Sequence, residues 1–158
     1  MEPRMNIEKL EPEGFSTLLN VEAYLSKTGL SNKDKELIKI RASQLNACAY
    51  CIEMHTSTAR EAGETESRIY ALNAWKESPL FTDEEKALLS VTEEVTFIAE
   101  GGLTEETFQN ARKYFSDHLI MQAIIQVAMT NAWNRIATSS RSIHPNNLAK
   151  MPATSSVI

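Results

Sequence analysis

Apolar residues recur along this chain at the three-to-four spacing of amphipathic helices, with no strand-like alternation long enough to compete. After a first dozen residues with Pro3, Pro12 and no apolar period, Phe15, Leu18, Leu19 and Leu25 predict a helix over about 14–27, ended by Gly29. Ser31 is placed to cap a second helix to about residue 45, with Leu37, Ile38 and Leu45 among its apolar positions. Asn46 caps or kinks the beginning of a third, which runs to Ala62 and stops at Gly63. Thr65 opens a fourth carrying Ile69, Leu72 and Trp75, and Pro79 excludes its continuation. Thr82-Asp-Glu-Glu85 matches a capping box and predicts a long helix to about residue 100, closed by Gly101 and Gly102. Thr104 starts a short helix to about residue 115, and Asp117 caps a last long one over about 118–139.

That last helix holds Leu119, Ile120, Met121, Ala123, Ile124, Ile125, Val127, Ala128 and Met129, so it is apolar on more than one face. Such a helix needs burial on all sides, and in a domain this small a second subunit is the expected source of it. Gln122 and Gln126 share one face and are expected to hydrogen-bond within a subunit contact. A chain of 158 residues with 42% hydrophobic residues fits one domain, 1–158, with an N-terminal arm over 1–13 and a flexible tail over 146–158. Few glycines and prolines, and many strong helix formers, make the expected fold all-α.

The formal charge of −5 is spread along the chain with no basic stripe, which argues against a nucleic-acid partner. No stretch approaches the roughly 20 apolar residues that cross a bilayer, and no basic region precedes an apolar run at the N-terminus. A soluble cytoplasmic protein with no membrane partner is expected.

The chemistry is concentrated in Cys48-Ala-Tyr-Cys51-Ile-Glu-Met-His55, which contains both cysteines and one of the three histidines. Cysteines three apart on a helix have Cα atoms roughly 5 Å apart, within the reach of a disulfide. His55 follows Cys51 by four residues and Cys48 by seven, so an unbroken helix carries all three on one face. A free thiol with a pKa of about 8.5 is mostly protonated at neutral pH, and an imidazole one turn away can take its proton. With the helix beginning near Asn46, Cys48 lies in its first turn, where the dipole favours an anion, and Cys51 lies deeper. The order of attack is therefore open: the imidazole favours Cys51 and the dipole favours Cys48. Glu36, on the preceding helix, is the candidate carboxylate for orienting His55, whereas Glu53 is expected to point away from that face.

The run Glu36-Leu-Ile-Lys-Ile-Arg-Ala-Ser-Gln-Leu-Asn-Ala-Cys48-Ala-Tyr-Cys51-Ile-Glu-Met-His55 resembles the AhpD-like alkylhydroperoxidases of the carboxymuconolactone decarboxylase superfamily, with the spacing Glu-x11-Cys-x2-Cys-x3-His. The resemblance is clearest over 34–63, and Asn131-Ala-Trp-Asn-Arg135 looks like the family's final core helix. It implies an all-helical bundle assembled into trimers or hexamers. It also implies a thiol peroxidase in which Glu36 and His55 relay protons for Cys51 and Cys48, with a hydroperoxide substrate and an external dithiol or disulfide reductant protein. The best-known members carry a histidine immediately before the second cysteine, where this chain has Tyr50. A phenol of pKa about 10 does not replace that base, which implies weaker peroxidase activity or another substrate. Decarboxylase members lack the dithiol, so its presence argues against that activity.

Other readings compete. Two helical cysteines can be small buried hydrophobes, and two thiolates with an imidazole can bind zinc, although no second Cys or His cluster exists to complete such a site. No metal is expected, and with no glycine-rich dinucleotide fingerprint no organic cofactor is expected either. The functional alternatives are a disulfide reductase or redox relay that does not use peroxide, and a non-enzymatic oligomer that senses redox state. His118 and His144 are expected at the surface, and Trp75 and Trp133 in the core or an interface. Asn131, Asn134 and Arg135 either meet a partner chain or line the site.

Overall fold

The computed structural model describes residues 2–144. The described residues are all-helical, without a strand: α1 (Ile7–Leu10), α2 (Pro12–Leu25), α3 (Asn32–Leu45), α4 (Ala49–Glu61), α5 (Glu66–Ala71), α6 (Asp83–Thr96), α7 (Glu105–Ala111) and α8 (Asp117–Ser140), with single 3-10 turns at Leu72–Ala74 and Ile98–Glu100. None of these helices is long and apolar enough to cross a membrane. The tail expected over 146–158 lies outside the described residues.

Local chemistry sets most boundaries. Ser31, Thr65, Thr82 and Thr104 each accept a backbone amide from the first turn they open, and Thr82 and Glu85 exchange both bonds of the capping box. Ser116, not Asp117, caps α8. The stretch read as an arm contains α1, capped by Asn6, and the amides of Arg4 and Met5 donate to Ser140 O at 2.9 and 3.2 Å. The helix expected through Trp75 gives way to a 3-10 turn after Ala71.

α3 lies at the centre, packed against α4, α6 and α8. Its adjacent residues Leu37 and Ile38 belong to opposite clusters. Ile38 shares one cluster with Leu88, Val91, Ile120, Ala123 and Val127, whereas Leu37 and Ile40 share the other with Ala59, Leu72, Trp75, Phe81 and Leu89. Each fully buried Leu or Ile side chain contributes about 1.5–3 kcal/mol, so the two faces together fix the helix in place. α8 buries Ile120, Ala123 and Val127 within the chain but leaves Met121 exposed. Gln122 accepts the Gly29 amide at 3.0 Å inside the same chain, and Gln126 is buried.

α3 also buries four polar side chains: Lys35, Glu36, Arg41 and Ser43. Such groups are costly without partners. Lys35 Nζ donates to the carbonyls of Ser26 and Thr28 near the end of α2. Arg41 bonds Glu93, Gln44 and Asn73, and Ser43 Oγ accepts from Asn134 Nδ2 at 3.0 Å. Glu36 accepts from Lys39 Nζ at 3.0 Å through Oε1, and its buried Oε2 faces His55 of α4.

Candidate active site

The site begins where α3 ends. Asn46 terminates that helix and Ala47 turns left-handed, with φ of 52°. The Ala47 amide donates to Gln44 O at 3.1 Å and the Cys48 amide to Ser43 O at 3.0 Å, the paired bonds of a Schellman ending. Cys48 is therefore the N-cap of α4, in an extended conformation, and Cys51 is the third helical residue. This corrects the expected start near Asn46. The reason is that Asn46 closes the preceding helix, its side-chain amide engaged with Ala42 O, Asn131 Oδ1 and Asn134 Oδ1, each at 2.9 Å. Both cysteines consequently sit at the amino end of α4, where the helix field favours an anion, so the dipole no longer separates them.

α8 holds this turn from behind. Asn131 donates to Thr96 Oγ1 at 3.2 Å and Val127 O at 2.9 Å, and Arg135 donates to the Asn131 carbonyl and side-chain oxygens. Asn131 and Asn134 thus support the cysteine turn within one chain. Trp75 and Trp133 are also held internally, donating to Glu93 Oε1 at 2.7 Å and Glu22 Oε1 at 2.9 Å.

Cys48 and Cys51 form a disulfide, with Cα atoms 5.4 Å apart. Each cysteine is only 2% exposed, and the pair packs with Ala137 and the Tyr50 ring. His55 lies one turn beyond Cys51 on α4, and its Nδ1 is 3.4 Å from Glu36 Oε2. Glu36 Oε1 accepts from Lys39 Nζ at 3.0 Å, a partner one turn along the same helix that no motif in the sequence marks. Burial pushes the Glu36 carboxyl up, but the His55 contact and the Lys39 ammonium outweigh it and hold it below the usual carboxylate range. A carboxylate fixed against Nδ1 leaves the Nε2 side of the ring for proton exchange.

Glu53 turns away from Glu36, with Oε1 3.5 Å from His144 Nδ1. His144, expected at the surface, instead has a largely covered side chain, and its ring centroid lies 5.6 Å from that of Tyr50. A second imidazole therefore stands behind the tyrosine. A lone histidine near a helix terminus carries no local pattern that announces this. His118 is exposed, as expected. Among the described residues no three His, Cys, Asp or Glu side chains converge in a way that would hold a metal ion.

The model of the carboxymuconolactone decarboxylase family matches residues 12–94. The chain is 38% identical over 137 residues to the uncharacterized protein YdfG of Bacillus subtilis strain 168, covering 87% of this chain and 93% of that protein. Among solved structures, it is similar to a protein of unknown function from Agrobacterium tumefaciens proposed to be the antioxidant defence protein AhpD. The TM-score is 0.89 at 40% identity, over 91% of this chain and 99% of that one. An uncharacterized peroxidase-related protein from Ralstonia eutropha JMP134, with an alkylhydroperoxidase AhpD core, gives a TM-score of 0.78. Its 19% identity, over 89% of this chain and 75% of that one, extends the likeness to the fold alone.

Proposed function

The chain belongs to the carboxymuconolactone decarboxylase family, among its AhpD-like members, and on that premise we propose that it is a thiol peroxidase cycling between dithiol and disulfide. The observation that carries this reading is the coexistence, on α4, of the Cys48–Cys51 disulfide and of His55 held 3.4 Å from a buried carboxylate one turn further on.

In the reduced protein, His55 takes the Cys51 proton. The thiolate attacks one oxygen of a hydroperoxide, the O–O bond breaks, and the departing alkoxide is protonated to an alcohol. Cys51 is then a sulfenic acid. The Cys48 sulfur attacks it, the S–O bond breaks, and the hydroxyl leaves as water with the Cys48 proton. An external dithiol returns two electrons and two protons by exchange through a mixed disulfide. Glu36 acts as a positioning residue through His55, and Lys39 keeps it ionised.

The test is the loss of free thiols in reduced protein after one equivalent of an organic hydroperoxide, followed by mass spectrometry. Rapid formation of the 48–51 disulfide, slowed in His55→Ala and Glu36→Ala, is expected. Thiols that persist in the wild-type protein defeat the peroxidase reading and select exchange with a protein or lipoyl disulfide instead.

A further inference from the structure

α8 ends beside the dithiol, and its ending turns the chain back toward α4. Ala137 of α8 packs with Cys48 and Cys51. Its carbonyl accepts the Ser142 amide at 2.9 Å, and Arg141 is left-handed, with φ of 55°, so the chain reverses direction there.

Two residues of α4 receive His144 after that reversal. Its Nδ1 lies 3.5 Å from Glu53 Oε1, and its ring centroid lies 5.6 Å from that of Tyr50, with the planes at 55°. Tyr50 and Glu53 are three apart on α4 and so share one face, which His144 bridges. The His144 side chain is only 15% exposed, although it lies beyond the last helix. Tyr50 in turn packs on the two cysteines, each 2% exposed. Glu53, His144 and Tyr50 thus form a chain of contacts that ends on the disulfide.

We propose that His144 is a positioning residue for the reductive half of the cycle: held by Glu53, it fixes the Tyr50 ring over the disulfide and so determines which thiols reduce it. The inference rests on the dithiol–disulfide cycle proposed above and adds to it the size of the reductant. In that half-reaction a thiolate bonds to one sulfur as the S–S bond breaks, and the other sulfur leaves as a thiolate and takes up a proton. A second thiol then attacks the mixed disulfide, so two thiols become one external disulfide and the protein regains both of its own. Each attack must reach a sulfur atom, and its rate therefore reads the cover directly. A fixed ring admits a thiol carried on a slim chain and holds off one with bulk near the sulfur.

The test is reduction of the oxidised full chain by 2-mercaptoethanol and by glutathione, quenched with iodoacetamide and read by mass spectrometry. It is run at about 1 M salt, where a Debye length of about 3 Å screens the charge of glutathione. His144→Ala is expected to accelerate the glutathione reaction about three- to tenfold, the scale of one ring contact, and the 2-mercaptoethanol reaction less. In a Tyr50→Ala background the same substitution is expected to change neither rate, because it acts through the ring. His144→Phe, which returns a ring beside Tyr50 without the contact to Glu53, is expected to fall between His144→Ala and wild type. A substitution that merely loosened the fold would expose the sulfurs to both thiols alike. Equal acceleration of both, no acceleration, or full additivity with Tyr50→Ala overturns the assignment and leaves the dithiol cycle standing. A wild-type disulfide that neither thiol reduces defeats the cycle itself, and with it the peroxidase reading.

Discussion

Asn46 Nδ2 donates to Asn134 Oδ1 at 2.9 Å, joining residues 88 positions apart and tying the turn before Cys48 to α8. Asn134 also donates to Ser43 Oγ and is 1% exposed, so no water stands ready to replace it. Asn134→Ala is expected to destabilise the fold by about 1–3 kcal/mol, the cost of leaving buried partners unpaired. A lower urea midpoint with an unchanged slope is the result that checks it.

Acid should remove a contribution that Glu36 makes. Its carboxyl is held below its ordinary value of 4.5 in the folded protein, so the stabilisation is present above that value and is lost as pH falls through the lower, folded one. Glu36→Gln is therefore expected to differ most from wild type near neutrality, and the difference in unfolding free energy should shrink below about pH 4.5. Urea titrations of both proteins from pH 7 to pH 3 measure it; a gap that widens on acidification contradicts the assignment.

Ala47 occupies, at φ of 52°, a backbone region that suits glycine. Ala47→Gly removes a penalty of roughly 1–2 kcal/mol in the folded state and gives part of it back as unfolded-chain entropy. A small rise in melting temperature is expected, against a clear fall for Ala47→Val, whose branched Cβ fits that region worse.

Reduction of the disulfide should depend on the size of the attacking thiol. Thiolate exchange requires approach to a sulfur, and both cysteines are covered, in part by the Tyr50 ring. Tyr50→Ala is expected to accelerate reduction by glutathione more than reduction by 2-mercaptoethanol. Equal acceleration of both, or none, would show that Tyr50 does not govern access.

What was legible in the sequence was local. The Thr82–Glu85 capping box is an exchange between residues three apart, and its two bonds, at 2.9 and 3.2 Å, form where the pattern places them. The separation of Cys48, Cys51 and His55 likewise translates directly into helix geometry, and the spacing to Glu36 locates a pair that meets at 3.4 Å. The end of α3 was not legible in the same way, because the residues that hold Asn46 lie 85 and 88 positions away and the left-handed residue is an alanine.

The Schellman ending has a consequence for recognition. Cys48 is fixed by its amide to Ser43 O at 3.0 Å and by its carbonyl to the Ile52 amide at 2.9 Å, bonds that do not involve sulfur. Breaking the disulfide releases two side-chain atoms inside one helical turn while the peptide path on either side stays tethered. The oxidised and reduced forms are therefore expected to share one backbone path through this turn. A reductant that distinguishes them must do so at the sulfur atoms, by reacting.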